Sequence, residues 1–192
     1  PFGKNLQICN WVNEHQEEYE EMYLWAVSRL KAEGIIQYEV SNFSKKGKES
    51  RNNLLVWSGK EYFGFGAGAH SYFEGTRKGN IGSAKNYISH LKKNILPVKF
   101  EEKLSSAQLA LEFLMLGLRT NEGVNLQEWI ERFELEWTPQ EERYVSSLCD
   151  QGRALRKDNH FCLTPKGMLI ADRITVEMMP SNSSKKTIKL FF

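Results

Sequence analysis

The residues of this chain whose types and spacing most directly suggest chemistry are GFGAGAHS, at positions 64–71. Glycine at every second position leaves one face of an extended segment bare, so that an aromatic ring or a cofactor can approach the backbone. His70 follows, as a hydrogen-bond donor, an iron ligand or a purely structural residue. The spacing G-x-G-x-G fits neither the dinucleotide fingerprint G-x-G-x-x-G nor a phosphate loop, which also needs Lys followed by Ser or Thr.

A second candidate stretch is YEVSNFS, at positions 38–44, where a carboxylate interrupts a strand-like run. The side chain of Glu39 points to the face opposite to its two neighbours. A solvent-facing edge strand explains this placement, and so does a polar group directed into a barrel or cleft. Because sites in α/β folds gather at the carboxyl ends of strands, Ser41 and Asn42 are stronger site candidates.

A third stretch, ESRNNLLVW at positions 49–57, sets three side-chain donors before an apolar anchor. The guanidinium of Arg51 could grip a carboxylate in two places. Asn52 and Asn53 could assist it or could simply form a turn. Trp57 ends the stretch with a large aromatic surface.

Composition excludes several classes of protein. A net charge of +2 over 192 residues gives no argument for nucleic acid or an anionic membrane as partner. Apolar runs are far shorter than the roughly 20 residues that span a bilayer, and the first ten residues lack the pattern of a signal peptide. Cys9, Cys149 and Cys162 are too widely spaced for a metal cluster and predict reduced thiols in the cytoplasm.

The first half of the sequence predicts α/β structure. Apolar residues recur at helical spacing over residues 13–33, and Gly34 is a suitable C-cap. IIQYEV, at 35–40, then predicts a strand, so that helix and strand form part of a βαβ unit. Residues 41–60 and the stretch after the glycine segment to about residue 82 predict polar loops, and SAKNYISHLKKN predicts a short helix.

The second half predicts helices and one hairpin. Three helix starts carry capping signals, which are Ser105 with Gln108, Asn125 with Glu128, and Thr138-Pro139 with Glu141. A hairpin turning at Lys157–Asn159 follows, and Thr164-Pro165 begins a last helix that ends near Pro180. This order is typical of a winged-helix-like module. We therefore predict an α/β part at 1–96, an α-rich part at 97–180 and a tail at 181–192.

Six segments then resemble one family in the same order along the chain, to about residue 179: PFGK, YEVSNFS, ESRNN with a later Trp, GKEYFGFGAGAHSY, LGLRTNEGV and LTPKGMLIADRI. They resemble the HemW-type heme chaperones, radical S-adenosylmethionine relatives of oxygen-independent coproporphyrinogen III oxidase. The resemblance implies the C-terminal part of a partial (β/α) radical-SAM barrel followed by a small winged-helix-like domain. It also implies that the chain, which opens without Met, is the back half of such a protein.

In that family, S-adenosylmethionine binds to a [4Fe–4S] cluster held by a C-x-x-x-C-x-x-C motif upstream of the PFGK equivalent. This sequence has no counterpart of that motif. We therefore expect the chain alone to assemble no cluster and to be inactive as an enzyme, and we predict no catalytic residue and no metal ligand in it. Three clustered thiolates are what such a cluster needs.

The resemblance also bears on heme. Family members have a motif H-N-x-x-Y-W, and here Asn52 replaces the histidine and Val56 the tyrosine, while Asn53 and Trp57 match. Asparagine is a poor heme-iron ligand compared with imidazole, which leaves His70 as an alternative ligand. The residues implied as ligand contacts at the barrel mouth are Glu39, Asn42, Asn53, Trp57, Gly66, Gly68, His70 and Ser71.

The leading functional hypothesis is heme binding and transfer, or a role like porphyrinogen oxidation, in the cytoplasm. Heme or a porphyrin would be the ligand, and a heme-acceptor protein, at the membrane or elsewhere, the partner. The alternative is a winged-helix module that binds nucleic acid or another protein. Its helix at 139–150 carries Glu141, Glu142 and Asp150 against Arg143, which would repel phosphates.

Overall fold

The structure is a computed structural model, and it describes residues 14–180. Its first part, which we call the N-terminal region, extends to residue 103. The elements of this region are α1 (Gln16–Ala32), β1 (Ile35–Gln37), β2 (Phe43–Lys45), α2 (Arg51–Trp57), β3 (His70–Phe73), β4 (Thr76–Asn80), α3 (Ala84–Lys92) and β5 (Val98–Lys103). Cys9, the PFGK segment and the predicted tail at 181–192 lie outside the described residues.

The helix and strand predicted at the start are present as α1 and β1. β1 pairs with β2, the next strand along the chain, in an antiparallel hairpin. Its closing turn is held by the amide of Tyr38, which donates to the carbonyl of Asn42 at 3.1 Å. A βαβ unit would pair β1 in parallel with a strand that precedes α1. Residues before 14 lie outside the described part of the chain, so this expectation stays a prediction.

A three-stranded antiparallel sheet, in the order β3–β4–β5, occupies much of the span that the sequence predicted as loop. Its register places His70 opposite Gly79, and Gly79 opposite Phe100. Charged residues lie on both faces of β4, and in β5 the alternation of apolar and charged residues is confined to residues 98–101. The boundary predicted after residue 96 precedes β5, which is hydrogen-bonded to β4.

The second part, residues 104–180, is the C-terminal region. Its elements are α4 (Ser106–Leu118), β6 (Val124–Asn125), α5 (Leu126–Arg132), α6 (Pro139–Asp150), β7 (Ala154–Lys157), β8 (His160–Leu163), α7 (Pro165–Met168) and α8 (Ala171–Met178). The strands form an antiparallel sheet in the order β6–β8–β7. Three helices, a hairpin and further helix make the winged-helix-like arrangement that the sequence predicted, although the last helix is divided at residues 169–170.

The capping signals formed as predicted. Ser105 and Thr138 each accept a backbone N–H in the first turn of α4 or α6, and Gln108 and Glu141 complete the two capping boxes. Asn125 accepts from the amide of Glu128 at 3.1 Å and starts α5. Because each cap satisfies backbone donors that a helix start leaves unpaired, these residues fix where the helices begin.

The apolar core of the described chain lies in the C-terminal region. Trp129 and Phe161 are its largest fully buried side chains. The indole N–H of Trp129 donates to the carbonyl of Ala110 at 2.9 Å, so that its one polar atom is satisfied. Helices α4 to α8 and the sheet therefore surround one continuous core.

Backbone hydrogen bonds join the two regions. Glu39 forms an isolated antiparallel bridge with Thr120. On one side of this bridge, the amide of Val40 donates to the carbonyl of Arg119 at 2.8 Å. On the other side, the amide of Asn121 donates to the carbonyl of Tyr38 at 3.2 Å. The segment after β1 and the segment after α4 are thus held side by side.

Candidate functional site

A cavity of about 470 Å³ lies between α2 of the N-terminal region and α4 of the C-terminal region. Its volume lies in the range of pockets that hold small molecules. The lining residues are Arg51, Leu54, Leu55, Trp57, Ser58, Gly59, Lys60, Phe113, Leu116, Gly117, Thr120, Glu122, Gly123 and Val124. We call it the seam cavity, because both regions contribute its walls.

Helix α2 places four of these side chains, and a polar cap explains why it forms. The hydroxyl of Ser50 accepts the amide of Asn53 at 3.3 Å and so begins a helix of seven residues. Leu54 and Trp57, three residues apart, then share a face towards the cavity. This helix lies in the span predicted as a loop, because its run of apolar residues is short and its first turn is polar.

The walls of the seam cavity are mostly apolar, and cationic side chains are part of its lining. Trp57, Phe113 and Leu116 supply large apolar surfaces. Among the described residues, no ion pair involves Arg51 or Lys60. The cavity can therefore hold a flat apolar group and place negative charges against free cations.

The orientation of Trp57 is set from behind by an arginine. The guanidinium carbon of Arg119 lies 5.9 Å from the centre of the Trp57 ring. Arg119 is itself held by an ion pair with Asp172 of α8. A stacked, ion-paired arginine fixes the plane of the indole, so the C-terminal region determines the shape of a wall that the N-terminal region supplies.

A second cavity, of about 520 Å³, lies beyond the turn at residues 58–60, which it shares with the first. Its lining mixes acids and bases, among them Glu112 and Arg132. One carboxylate oxygen of Glu112 contacts Arg77 at 2.9 Å, and the other is buried without a hydrogen-bond partner among the described residues. Burial raises the pKa of the neighbouring Tyr72. The balanced charge gives no clear preference for one kind of ligand.

The glycine segment forms a turn in the structure, and its backbone donors are used internally. The amide of Gly64 donates to the hydroxyl of Ser71 at 3.0 Å, and that of Gly66 to the hydroxyl of Tyr87 at 3.1 Å. The amide of Gly68 donates to the carbonyl of Ile81 at 3.1 Å. A phosphate would find these donors occupied.

The glycines themselves have local structural reasons. A Cβ on Gly64 would lie 2.0 Å from the carbonyl oxygen of His70. Gly66 and Gly68 have φ angles of 108° and 73°, which favour glycine. The extended segment with one bare face that the spacing suggested is therefore not what forms here, since a turn accounts for the glycines.

His70 begins β3 and is exposed. The imidazole ring of His70 packs edge-on against the ring of Phe100, with centroids 5.5 Å apart. Gly79 of β4 lies between these two residues in the sheet. Neither His70 nor Ser71 is among the lining residues of the two cavities described above.

Glu39 is fully buried. One of its carboxylate oxygens accepts the amide of Ser41 at 3.2 Å, and the other has no partner among the described residues. Its bridge partner Thr120 lines the seam cavity, so Glu39 lies directly behind that wall. Asn42 is exposed in the hairpin turn.

Seven of the eight predicted site residues fall into two groups, and Asn42 lies apart in the β1–β2 turn. Trp57 lines the seam cavity, and Asn53 and Glu39 lie beside it. The glycine segment with His70 and Ser71 belongs to the edge of the β3–β4–β5 sheet. Lys60, Phe113 and Leu116 line the cavity but were not predicted as site residues. Lys60 and Leu116 lie in segments that carry the family resemblance, whereas Phe113 lies in none of them.

Among residues 14–180, no group of three or more His, Cys, Asp or Glu side chains could hold a metal ion. Cys149 and Cys162 are free thiols, and burial raises the pKa of both, which disfavours the thiolate that binds iron. The donors present in this part of the chain therefore do not fit a [4Fe–4S] cluster. None of the helices described is long and apolar enough to cross a membrane.

Comparison with known proteins identifies residues 104–170 as matching the family described as HemN C-terminal domain. The chain is 35% identical to the heme chaperone HemW of Bacillus subtilis, over 83% of this chain and 42% of that protein. It is 33% identical to HemW of Mycobacterium tuberculosis, over 77% and 36%. The mitochondrial radical S-adenosyl methionine domain-containing protein 1 of Mus musculus is 30% identical over 83% and 39%. The chain thus spans about two fifths of the length of these relatives.

A solved structure shares the fold. The radical SAM enzyme coproporphyrinogen III oxidase (HemN) of Escherichia coli matches with a TM-score of 0.62 over 81% of this chain and 39% of that one, at 13% identity. The predicted fold class is therefore confirmed. Nothing in these comparisons favours the nucleic-acid alternative.

Proposed function

We propose that this chain, a HemW-like chain that contains a HemN C-terminal domain, contributes to binding and handing on heme or a related porphyrin. The observation that carries the proposal is the seam cavity, where α2 presents Trp57 to the HemN C-terminal domain. A flat aromatic wall beside free cations suits a planar aromatic ligand with carboxylates. The similarity to proteins named heme chaperones supports the choice of heme.

Within this proposal, Trp57 contacts the ligand, while Asn53 and Glu39 support the wall from α2 and from behind Thr120. Gly66, Gly68, His70 and Ser71 belong to the separate edge of the β3–β4–β5 sheet, and Asn42 belongs to the β1–β2 turn. Ligand contact by these five residues rests on the resemblance alone and is the alternative to the seam cavity. The domain boundaries stay predictions too, as do a cytoplasmic location and a heme-acceptor partner.

S-adenosylmethionine and the [4Fe–4S] cluster belong in this proposal to the full-length proteins of the family. The part of the chain described here lacks a fitting set of ligands. We therefore propose that residues 14–180 provide a cargo site and neither hold the cluster nor supply a group that breaks bonds.

Titration of the chain with hemin tests the proposal. We expect a saturable shift of the Soret band, with a dissociation constant at least about tenfold weaker in Trp57→Ala because an aromatic stacking surface is lost. Trp25→Ala is the matched control, since Trp25 is exposed on α1, far from the cavity lining in sequence. His70→Ala should leave binding unchanged.

Two results would contradict the assignment. Unchanged hemin affinity in Trp57→Ala would remove the seam cavity as the site. A selective loss in His70→Ala would move the ligand to the glycine segment. Circular dichroism of each variant establishes that a loss of binding is not a loss of fold.

A further inference from the structure

The donor atoms around the seam cavity are unusual for a heme site. Heme iron in proteins is held by His, Cys, Met or Tyr. None of the fourteen residues that line this cavity is of those four types. The lining does hold Lys60 and Glu122, but lysine carries a proton at neutral pH and a carboxylate is a hard oxygen ligand.

His160 is near the cavity but is not among its lining residues. Its Nε2 lies 2.6 Å from the carbonyl oxygen of the lining residue Glu122, so this nitrogen faces the backbone at the edge of the cavity. Asn52, at the position where the resemblance expects a histidine, lies in the first turn of α2 and is not a lining residue. The presence of Asn52 in place of a histidine that could bind iron therefore leaves the apolar walls of the seam cavity unchanged.

The charges of the lining point to recognition of the ligand's periphery. Arg51 at the start of α2 and Lys60 after its end are separated by the length of the helix, so the cavity carries two cationic points. Only Glu122 opposes them among the lining residues. Two separated cations suit a rigid ligand that bears carboxylates at its edge, whereas a single iron ion would make no use of them.

Resting on the proposed function, we infer that the seam cavity recognises the aromatic macrocycle and the edge carboxylates of a porphyrin, and not its metal. Trp57, Phe113 and Leu116 enclose the ring system, and Arg51 and Lys60 pair with the carboxylates. Iron-free protoporphyrin and heme then bind with similar affinity, and the iron of bound heme keeps an axial position free for an acceptor.

The test compares three ligands on the 192-residue chain. Hemin, iron-free protoporphyrin IX and the dimethyl ester of protoporphyrin IX are titrated at one detergent concentration, with tryptophan fluorescence quenching as the readout. We expect dissociation constants of hemin and the free acid within about threefold, and an ester that binds about tenfold or more weakly because its carboxylates are masked.

The double variant Arg51→Gln/Lys60→Gln should bind hemin and the free acid about tenfold or more weakly than the unchanged chain. Its affinities for the free acid and the ester should be the same. Lys85→Gln, an exposed lysine on α3, is the matched control and should behave as the unchanged chain. Raised salt should weaken the free acid and not the ester, since exposed charge pairs are screened.

The outcomes separate the inference from the function on which it rests. If hemin binds but the iron-free acid does not, the metal is being recognised, and the inference fails while the proposed function stands. If the double variant still prefers acid to ester, the assignment of Arg51 and Lys60 is overturned. If neither porphyrin binds, both the inference and the proposed function fail.

Discussion

The two regions of this molecule differ in where they keep their apolar side chains. Among the described residues, nineteen apolar side chains are buried, and of these only Tyr38 lies in the N-terminal region. Fifteen large apolar side chains are exposed, and of these only Leu155 lies in the C-terminal region. The C-terminal region thus buries a core of its own, whereas the N-terminal region is shaped mainly by strand pairing and turns.

This unequal burial of apolar side chains explains how the seam cavity is held together. Its N-terminal wall, α2, has no buried residue of its own and is positioned by contacts to a region that has a core. The stack of Arg119 on Trp57 is one such contact, and the bridge between Glu39 and Thr120 is another. We therefore expect the stability of the C-terminal region to control the geometry of the site.

The largest expected effect is the response of each region to loss of a tryptophan. Trp129→Ala should lower the free energy of unfolding by about 3–5 kcal/mol, because the ring is fully buried and its removal leaves a cavity. Trp25→Ala should change it by less than about 0.5 kcal/mol, because 68% of Trp25 is exposed. Urea unfolding followed by circular dichroism measures both. Similar losses in the two variants would break the comparison.

Replacing one glycine in each region by alanine tests how rigid that region is. A Cβ on Gly167 would lie 2.0 Å from the carbonyl oxygen of Arg153, and one on Gly64 would lie 2.0 Å from that of His70. Neither glycine has a positive φ, so the clash is the same in kind. Gly167→Ala should cost about 1–3 kcal/mol, since a packed core yields little.

Gly64→Ala should cost less than Gly167→Ala in the same urea experiment, because Gly64 is half-buried at a sheet edge while Gly167 is buried. The atoms nearest to the added Cβ are backbone atoms of His70, so β3 must shift. Hydrogen exchange of the amides in β3 should report the shift locally. A loss for Gly64→Ala as large as that for Gly167→Ala would show that the N-terminal region is as rigid as the core.

The same contrast explains what the sequence could predict of the fold. The helices of the C-terminal region were predictable because Ser105, Asn125 and Thr138 carry local capping chemistry and apolar residues recur behind them. The sheet β3–β4–β5 was missed because its strands are largely exposed and only the first four residues of β5 alternate between apolar and charged. Sequence periodicity reports burial, so it is silent where little is buried.

The residues of the candidate site also divide into those that the sequence could predict and those that it could not. Trp57 was predictable from a motif, and the structure places it in the cavity wall. Phe113 and Leu116 were not, because apolar residues on a helix look alike whether they face a core or a cavity. The spacing of the glycine segment suggested an approaching ligand, which stays a prediction, while Gly64 makes room for the backbone of His70.

Acid should remove part of the stability of the C-terminal region and so bring it closer to that of the N-terminal region. This is the smallest of the effects that we predict. Three carboxyl groups of the C-terminal region have a pKa below the ordinary 4.5, because each accepts a side-chain hydrogen bond. The groups and their principal donors are Glu141 with Thr138, Glu142 with Trp137, and Glu177 with Tyr144. A lowered folded-state pKa stabilises the fold above pH 4.5, and this stabilisation is lost as the pH falls through the folded pKa.

Trp137→Phe isolates one of these contributions. The indole N–H of Trp137 donates to Glu142 at 3.1 Å, and phenylalanine keeps an aromatic ring without that donor. At pH 7 we expect a loss of about 0.5–1 kcal/mol in the free energy of unfolding, because the carboxylate is partly exposed. The loss should shrink towards pH 3, where Glu142 is increasingly protonated in both proteins, and Trp25→Phe should show no such pH dependence. A loss that stayed constant from pH 7 to pH 3 would mean that Trp137 stabilises the region by packing against Trp129, whose ring centre lies 6.0 Å away, and not through the charge of Glu142.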